Sequence, residues 1–165
     1  MPKFLILIGI PGSGKSTWLN SLEKVNCDGG FYLRLLNDLY TIICPDEIRR
    51  KLGSVSDQSQ NLYVWQEAKD RTIGCLEHGT NVILDATNVN TANRRDFISG
   101  IPALPPCIKL AKIFPTDPEI AWERIRLALK NGIDRSNVPE ETIYRMYGEY
   151  LYTSKVISSE GFTVI

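Results

Sequence analysis

A chain of 165 residues with 43% hydrophobic and 23% charged side chains is long enough for one domain with a sizeable core, and it has no segment of membrane-spanning length. The 19 Lys and Arg residues balance the 19 Asp and Glu residues, which excludes a general basic coat for nucleic acid but leaves room for a local basic groove. The four cysteines, Cys27, Cys44, Cys75 and Cys107, are far apart, and the N-terminal apolar stretch is too short for a signal peptide. A disulfide frame and a Cys-rich metal site are therefore not expected, and the setting reads as soluble and cytoplasmic.

The predicted elements alternate. Residues 3–8 are an apolar run suited to a buried strand, and a helix is expected over 15–24. Cys27-Asp28-Gly29-Gly30 reads as a turn, and residues 31–40 are ambiguous, with a short extra helix as one reading. Thr41 to Cys44 is a second strand, ended by Pro45. Asp46 to Leu52 is a short helix closed by Gly53. A longer helix spans about 60–78, and residues 81–85 form a third, almost wholly apolar strand. Thr91 to Ile98 is helical, Ile108 to Phe114 is a fourth strand, and Thr116-Asp117-Pro118-Glu119 opens a helix that runs to about Asn131. Glu140 to Ser154 is the last helix, and Phe162 to Ile165 reads as an edge strand. Alternation of this kind predicts an α/β fold with helices on both faces of a parallel sheet of four to five strands. Ligands in such folds lie at the carboxyl ends of the strands, where Gly9, Asp46 and Asp85 fall.

Residues 9–17, Gly-Ile-Pro-Gly-Ser-Gly-Lys-Ser-Thr, fit the phosphate-binding loop pattern G-x-x-x-x-G-K-[ST]. Gly9, Gly12 and Gly14 let the backbone turn and aim successive N–H groups at phosphate oxygens, with Pro11, Ser13 and Thr17 in the same turn. Lys15 can reach the β- and γ-phosphates of a nucleoside triphosphate, and Ser16 can ligate Mg²⁺. Asp46 is either a base for an attacking hydroxyl or a plain helix-start acid, and Arg49 shares its helical face. Asp85, with Asn88 three residues on, reads as an acid facing the phosphates, the two then being substrate contacts, or as a turn-former with Asn88 as its turn partner. Of Arg94 and Arg95, one is expected to look toward the site. Arg124, Arg126, Lys130 and Arg135 lie on a helix and the loop after it, either as a cationic lid or as a solvated face. His78, at a helix end before Gly79, is assigned no chemistry. Trp18, Trp65 and Trp122 read as packing residues.

Gly9 to Trp18, Pro45 to Arg49, Gly79 to Asn90 with Arg94-Arg95, Val138 to Glu141 and Met146-Tyr147 together resemble, in the same order, the kinase domain of phage-type 5′-polynucleotide kinases. The resemblance implies a single P-loop kinase domain over residues 1–165, with a helical lid, using ATP and Mg²⁺ on a nucleic acid 5′ end. It implies that Lys15 and Ser16 bind the phosphates and Mg²⁺, that Asp46 is the general base, and that Arg49 contacts the phosphate beside the acceptor nucleotide. Asp85 would belong to the acid network and Arg126 to the lid. Lys130 stands where the family has a second lid arginine, which leaves Arg135 as the candidate replacement. Residues 31–44 are longer than the family's usual link, and the phosphatase signature D-x-D-G-T is absent.

The expected activity is therefore transfer of the ATP γ-phosphoryl group to the 5′-hydroxyl of DNA or RNA. A kinase of the same fold acting on a nucleoside, sugar or antibiotic hydroxyl is the alternative reading. A nucleotide-binding accessory ATPase is a third.

Overall fold

The structure is a computed structural model that describes residues 1–55 and 57–165. The apolar run builds β1 (Lys3–Ile8), which lies between two parallel neighbours and is buried on both faces. Phe4, Ile6 and Ile8 point to one face and Leu5 and Leu7 to the other, as the two-residue period of a strand requires. The chain continues through α1 (Lys15–Ser21), β2 (Glu23–Cys27), β3 (Gly30–Leu35), β4 (Asp38–Ile43), α2 (Pro45–Leu52), α3 (Asn61–Glu77) and β5 (Asn81–Leu84). Then come α4 (Thr91–Ser99), β6 (Ile108–Ile113), α5 (Pro118–Lys130), α6 (Glu140–Val156), a 3-10 turn at Ile157–Glu160, and β7 (Thr163–Val164).

The sheet order is β2-β3-β4-β5-β1-β6-β7. The strands from β4 to β7 are parallel, so the parallel part has five strands, as expected. β2 and β3 extend it as an antiparallel hairpin on the β4 edge. One core lies between the sheet and the helices that follow β4, with Ile48, Val64, Ala68, Phe97, Ile125 and Ile143 among its buried residues. The other lies under α1, where Leu19 meets Leu5, Leu7, Leu33, Tyr40 and Ile83.

The hairpin corrects the reading of residues 15–40. α1 stops at Ser21 rather than near 24, and residues 31–40, the ambiguous stretch, are two strands joined by a turn at Leu36-Asn37 rather than a helix. Tertiary pairing decides this: Leu33 stands opposite Tyr40, and both are buried in the second core. The turn at Asp28-Gly29 has positive φ at both residues (48° and 74°), as a two-residue hairpin loop prefers. The next turn gives no such signal in sequence, because the residue with positive φ there is Leu36 (56°).

Because β1, β4, β5 and β6 run in the same direction, their carboxyl ends share one edge of the sheet. That edge carries residues 9–14, Cys44 to Asp46, Asp85 and Phe114.

Candidate active site

β1 ends at Ile8, and the chain turns back sharply before α1. Gly12 (φ 81°) and Gly14 (φ 95°) occupy the left-handed region that side-chain-bearing residues avoid. A Cβ on Gly12 would also stand 2.5 Å from the Ala121 carbonyl oxygen of α5. The loop is gripped from outside. The Gly9 N–H donates to Thr87 O (3.1 Å), the Thr116 hydroxyl to Ser13 O (3.3 Å), and Arg124 Nη1 to Gly12 O (3.1 Å). α1 begins with no side-chain cap and no acid in its first turn, so its leading N–H groups suit an anion. Pro11 is half-buried in the turn, while Ser16 and Thr17 are exposed beside it.

Lys15 folds back over this loop. Its Nζ donates to Gly9 O (2.8 Å), Ile10 O (3.0 Å) and Ser13 Oγ (3.4 Å). Burial pushes its pKa down to about 8; Asp85 and Asp46 oppose that shift, and the charge of Arg135 adds to it. These four side chains therefore share one electrostatic neighbourhood.

Asp85 follows β5 directly, and its N–H donates to Ile43 O (2.9 Å), the carbonyl before Cys44. Register sets Ile43 beside Leu84 and so brings Cys44 level with Asp85. Burial raises the Asp85 pKa; Lys15 and a hydrogen bond with the Cys44 side chain hold it back. Burial and the Asp85 charge push the Cys44 thiol up to about 12, so it is a hydrogen-bond donor and not a thiolate. Cys44 stands at the N-cap of α2 and reads in sequence as a small apolar residue. Only its place next to Pro45-Asp46 could have flagged it.

Asp46 opens α2 and is exposed, with one carboxylate oxygen paired to Arg49. Arg49 is buried. Its Nη2 donates to Asn61 Oδ1 (2.7 Å), and its Nε is buried without a partner among the described residues. Arg135, in the loop between α5 and α6, is half-buried, and its Nε is likewise buried and unpartnered among the described residues. Burial lowers its pKa, and Asp46 opposes that. Lys15, Asp46, Arg49, Asp85 and Arg135 are thus gathered at one edge of the sheet.

Other candidates are not gathered there. Arg126 and Lys130 are exposed on α5, on the opposite flank from Arg124. Asn88 (φ 49°) turns its side-chain amide inward, donating to Leu7 O (2.8 Å) and Ala86 O (3.2 Å). Arg94 is buried, while Arg95 is exposed. Arg94 binds Asn88 O (2.7 Å) and Glu160, holding the turn after Asp85 and not a ligand. His78 bonds locally, its Nδ1 donating to Gly74 O (2.7 Å) one helical turn back.

The AAA domain family matches residues 4–150. Among solved structures, a chain of the "Pnkp1/Rnl/Hen1 RNA repair complex" is similar at 22% identity and TM-score 0.71, covering 93% of this chain and 45% of that one. A chain of a second Pnkp1/Rnl/Hen1 complex is similar at 25% identity and TM-score 0.56, covering 74% and 38%. A candidate kinase from Chloroflexus aurantiacus j-10-fl is similar at 17% identity and TM-score 0.62, covering 86% and 74%. The chain thus spans less than half the length of the two repair-complex chains. A comparison with curated proteins gives no match. The mostly parallel sheet, its flanking helices and the loop at residues 9–17 make this a P-loop kinase-type fold.

Proposed function

The chain belongs to the AAA domain family, and from that premise we propose that it is a single kinase domain transferring the γ-phosphoryl group of ATP to the 5′-hydroxyl of a polynucleotide. The observation that carries this reading is the convergence of Lys15, Asp46, Arg49, Asp85 and Arg135 at the edge that bears the glycine loop. Cations and N–H groups on one side suit a triphosphate. An acid paired to a buried arginine on the other side suits a hydroxyl flanked by a phosphate. Similarity to a chain of an RNA repair complex supports a nucleic acid end as the acceptor.

The residues fit these roles. The N–H groups of Gly12, Gly14, Lys15 and Ser16 and the Lys15 ammonium cradle the β- and γ-phosphates, for which Lys15 exchanges its loop carbonyls. Ser16, exposed in the first turn of α1, would hold Mg²⁺ together with phosphate oxygens. Among the described residues, no group of three or more His, Cys, Asp or Glu side chains could hold a metal alone. The ion would supply charge neutralisation across the phosphates. Asp46 takes the hydroxyl proton as the new O–P bond forms and the bond to the β-phosphate oxygen breaks, releasing ADP. The loose transition state makes positioning the larger contribution. Arg49, fixed between Asp46 and Asn61, offers its buried guanidinium to the phosphate next to the acceptor. Asp85 holds Lys15 from the sheet side. Arg135 is the second lid cation in place of Lys130, and Arg126 joins only when α5 moves over the nucleotide.

The test is transfer of labelled γ-phosphate to a panel of 5′-hydroxyl oligonucleotides, 3′-phosphorylated nucleosides, plain nucleosides and small alcohols. Labelling of oligonucleotides with Arg49-dependent preference is expected. Labelling of small alcohols alone would assign the fold to small-molecule phosphorylation. ATP hydrolysis without any labelled acceptor would assign it to an accessory ATPase.

A further inference from the structure

Arg50 leaves α2 one residue after Arg49 and reaches the loop between α5 and α6. Its Nε donates to Asp134 Oδ2 (2.8 Å), its Nη2 to the Asp134 carbonyl (3.4 Å), and its Nη1 to Glu47. On the far side of Arg135, the Ser136 hydroxyl donates to Val55 O (3.2 Å) in the segment after α2. The loop starts from a firm end, because Gly132 (φ 72°) and Ile133 return hydrogen bonds to Leu129 O and Ala128 O (both 3.0 Å). Arg135 is thus pinned through both of its neighbours to the acceptor-side helix and its turn. Its own Nε takes no part and is buried without a partner among the described residues.

We infer that the Arg50–Asp134 ion pair is a latch that holds Arg135 against the phosphate loop, which makes Arg50 and Asp134 positioning residues for phosphoryl transfer. This rests on the functional reading above. Arg50 and Asp134 are 37% and 66% exposed, so the pair contributes little to global stability. Its consequence lies in where it keeps Arg135. α2 carries Asp46 and Arg49, so the latch ties the position of a phosphate-side cation to the helix that receives the acceptor.

The experiment compares Arg50→Ala, Asp134→Ala, Arg135→Ala and the double variant Arg50→Ala/Arg135→Ala with the unaltered chain. Each latch variant should lower kcat about tenfold, with a smaller change in KM for ATP, as expected of a misplaced transition-state group. In the Arg135→Ala background, Arg50→Ala should cost almost nothing further, because the group it positions is gone. The charge exchange Arg50→Asp/Asp134→Arg should recover most of the loss. A second measurement needs no activity: tryptic cleavage after Arg135, located by mass spectrometry, should quicken in Arg50→Ala and Asp134→Ala. Equal losses from Arg50→Ala with and without Arg135, or unchanged cleavage at Arg135, would overturn the latch. Failure of the unaltered chain to label any acceptor would overturn the functional reading, while the cleavage rates would still test the latch alone.

Discussion

Arg94 and Glu160 form a buried two-pronged ion pair, Nη2 to Oε1 at 2.7 Å and Nε to Oε2 at 2.9 Å, with side chains 2% and 7% exposed. The remaining nitrogen, Nη1, reaches Asn88 O (2.7 Å) and Thr153 Oγ1 (3.2 Å). A single guanidinium thereby ties α4, α6, the 3-10 turn and the segment after Asp85. Removing one partner leaves a buried charge alone. Glu160→Gln or Arg94→Met should therefore destabilise the fold by about 3–5 kcal/mol. Urea unfolding reads this as a lower midpoint at constant slope. A change below about 1 kcal/mol would mean that the pair is solvated in solution.

Lys15 makes nucleotide binding depend on pH. Its pKa is pushed down from 10.5 to about 8 by burial. Between those values the unfolded chain carries the extra proton, so this residue's cost to the fold is greatest below pH 8 and is relieved as pH rises toward 10.5. A bound phosphate favours the charged ammonium, so binding above pH 8 takes up a proton. ADP affinity should fall with rising pH, by at most about tenfold per unit. Calorimetry at about pH 8.5 in buffers of different ionisation enthalpy should show the uptake, and Lys15→Met should abolish it.

Asp46→Asn keeps the pairing oxygen for Arg49 and loses the base. Transfer to a 5′-hydroxyl should drop by about 10²–10⁴-fold while ATP affinity stays close to that of the unaltered chain. Near-normal transfer would reduce Asp46 to an acid at a helix start.

Asn88, read from sequence as a substrate contact, spends its side-chain amide on backbone carbonyls of β1 and the Asp85 turn. Asn88→Ala should lower stability by about 1–3 kcal/mol, since buried carbonyls lose their donor. KM for the acceptor should move little. A raised acceptor KM with unchanged stability would restore the substrate role.

The three cations of the lid region should separate kinetically. Arg135→Ala should lower kcat more than Lys130→Ala, because only Arg135 shares the electrostatic neighbourhood of Lys15 and Asp46. Arg126→Ala reports on movement of α5: a large loss in kcat means that the helix closes over the nucleotide, and a small one leaves Arg126 solvated.

The glycine loop, the strand before it and the acids after β4 and β5 were readable because local chemistry demands them. Only glycine fits φ values of 81° and 95°, and only an unbroken apolar run suits a strand buried on both faces. The hairpin was not readable. Phe31, Leu33 and Leu35 do alternate, but three residues are a short signal that Leu36 breaks, and the Leu33–Tyr40 pair exists only once the strands meet. Arg94 and Cys44 were hidden for a related reason. A buried arginine and a donor thiol look like a surface charge and a filler until the tertiary contacts that satisfy them are known. The lid remained divided in sequence because Arg124, Arg126 and Lys130 share one helix, and only packing decides which flank meets the loop.

Leu36 carries an L side chain at φ 56°, and that side chain is 83% exposed. A branched aliphatic residue in this region costs about 1–2 kcal/mol, and nothing is buried in return. The hairpin turn therefore holds a reserve of unused stability far from the chemistry. Leu36→Gly or Leu36→Asn would release it, giving a sturdier background in which damaging changes at Arg94, Asn88 or Gly12 stay folded long enough to be measured.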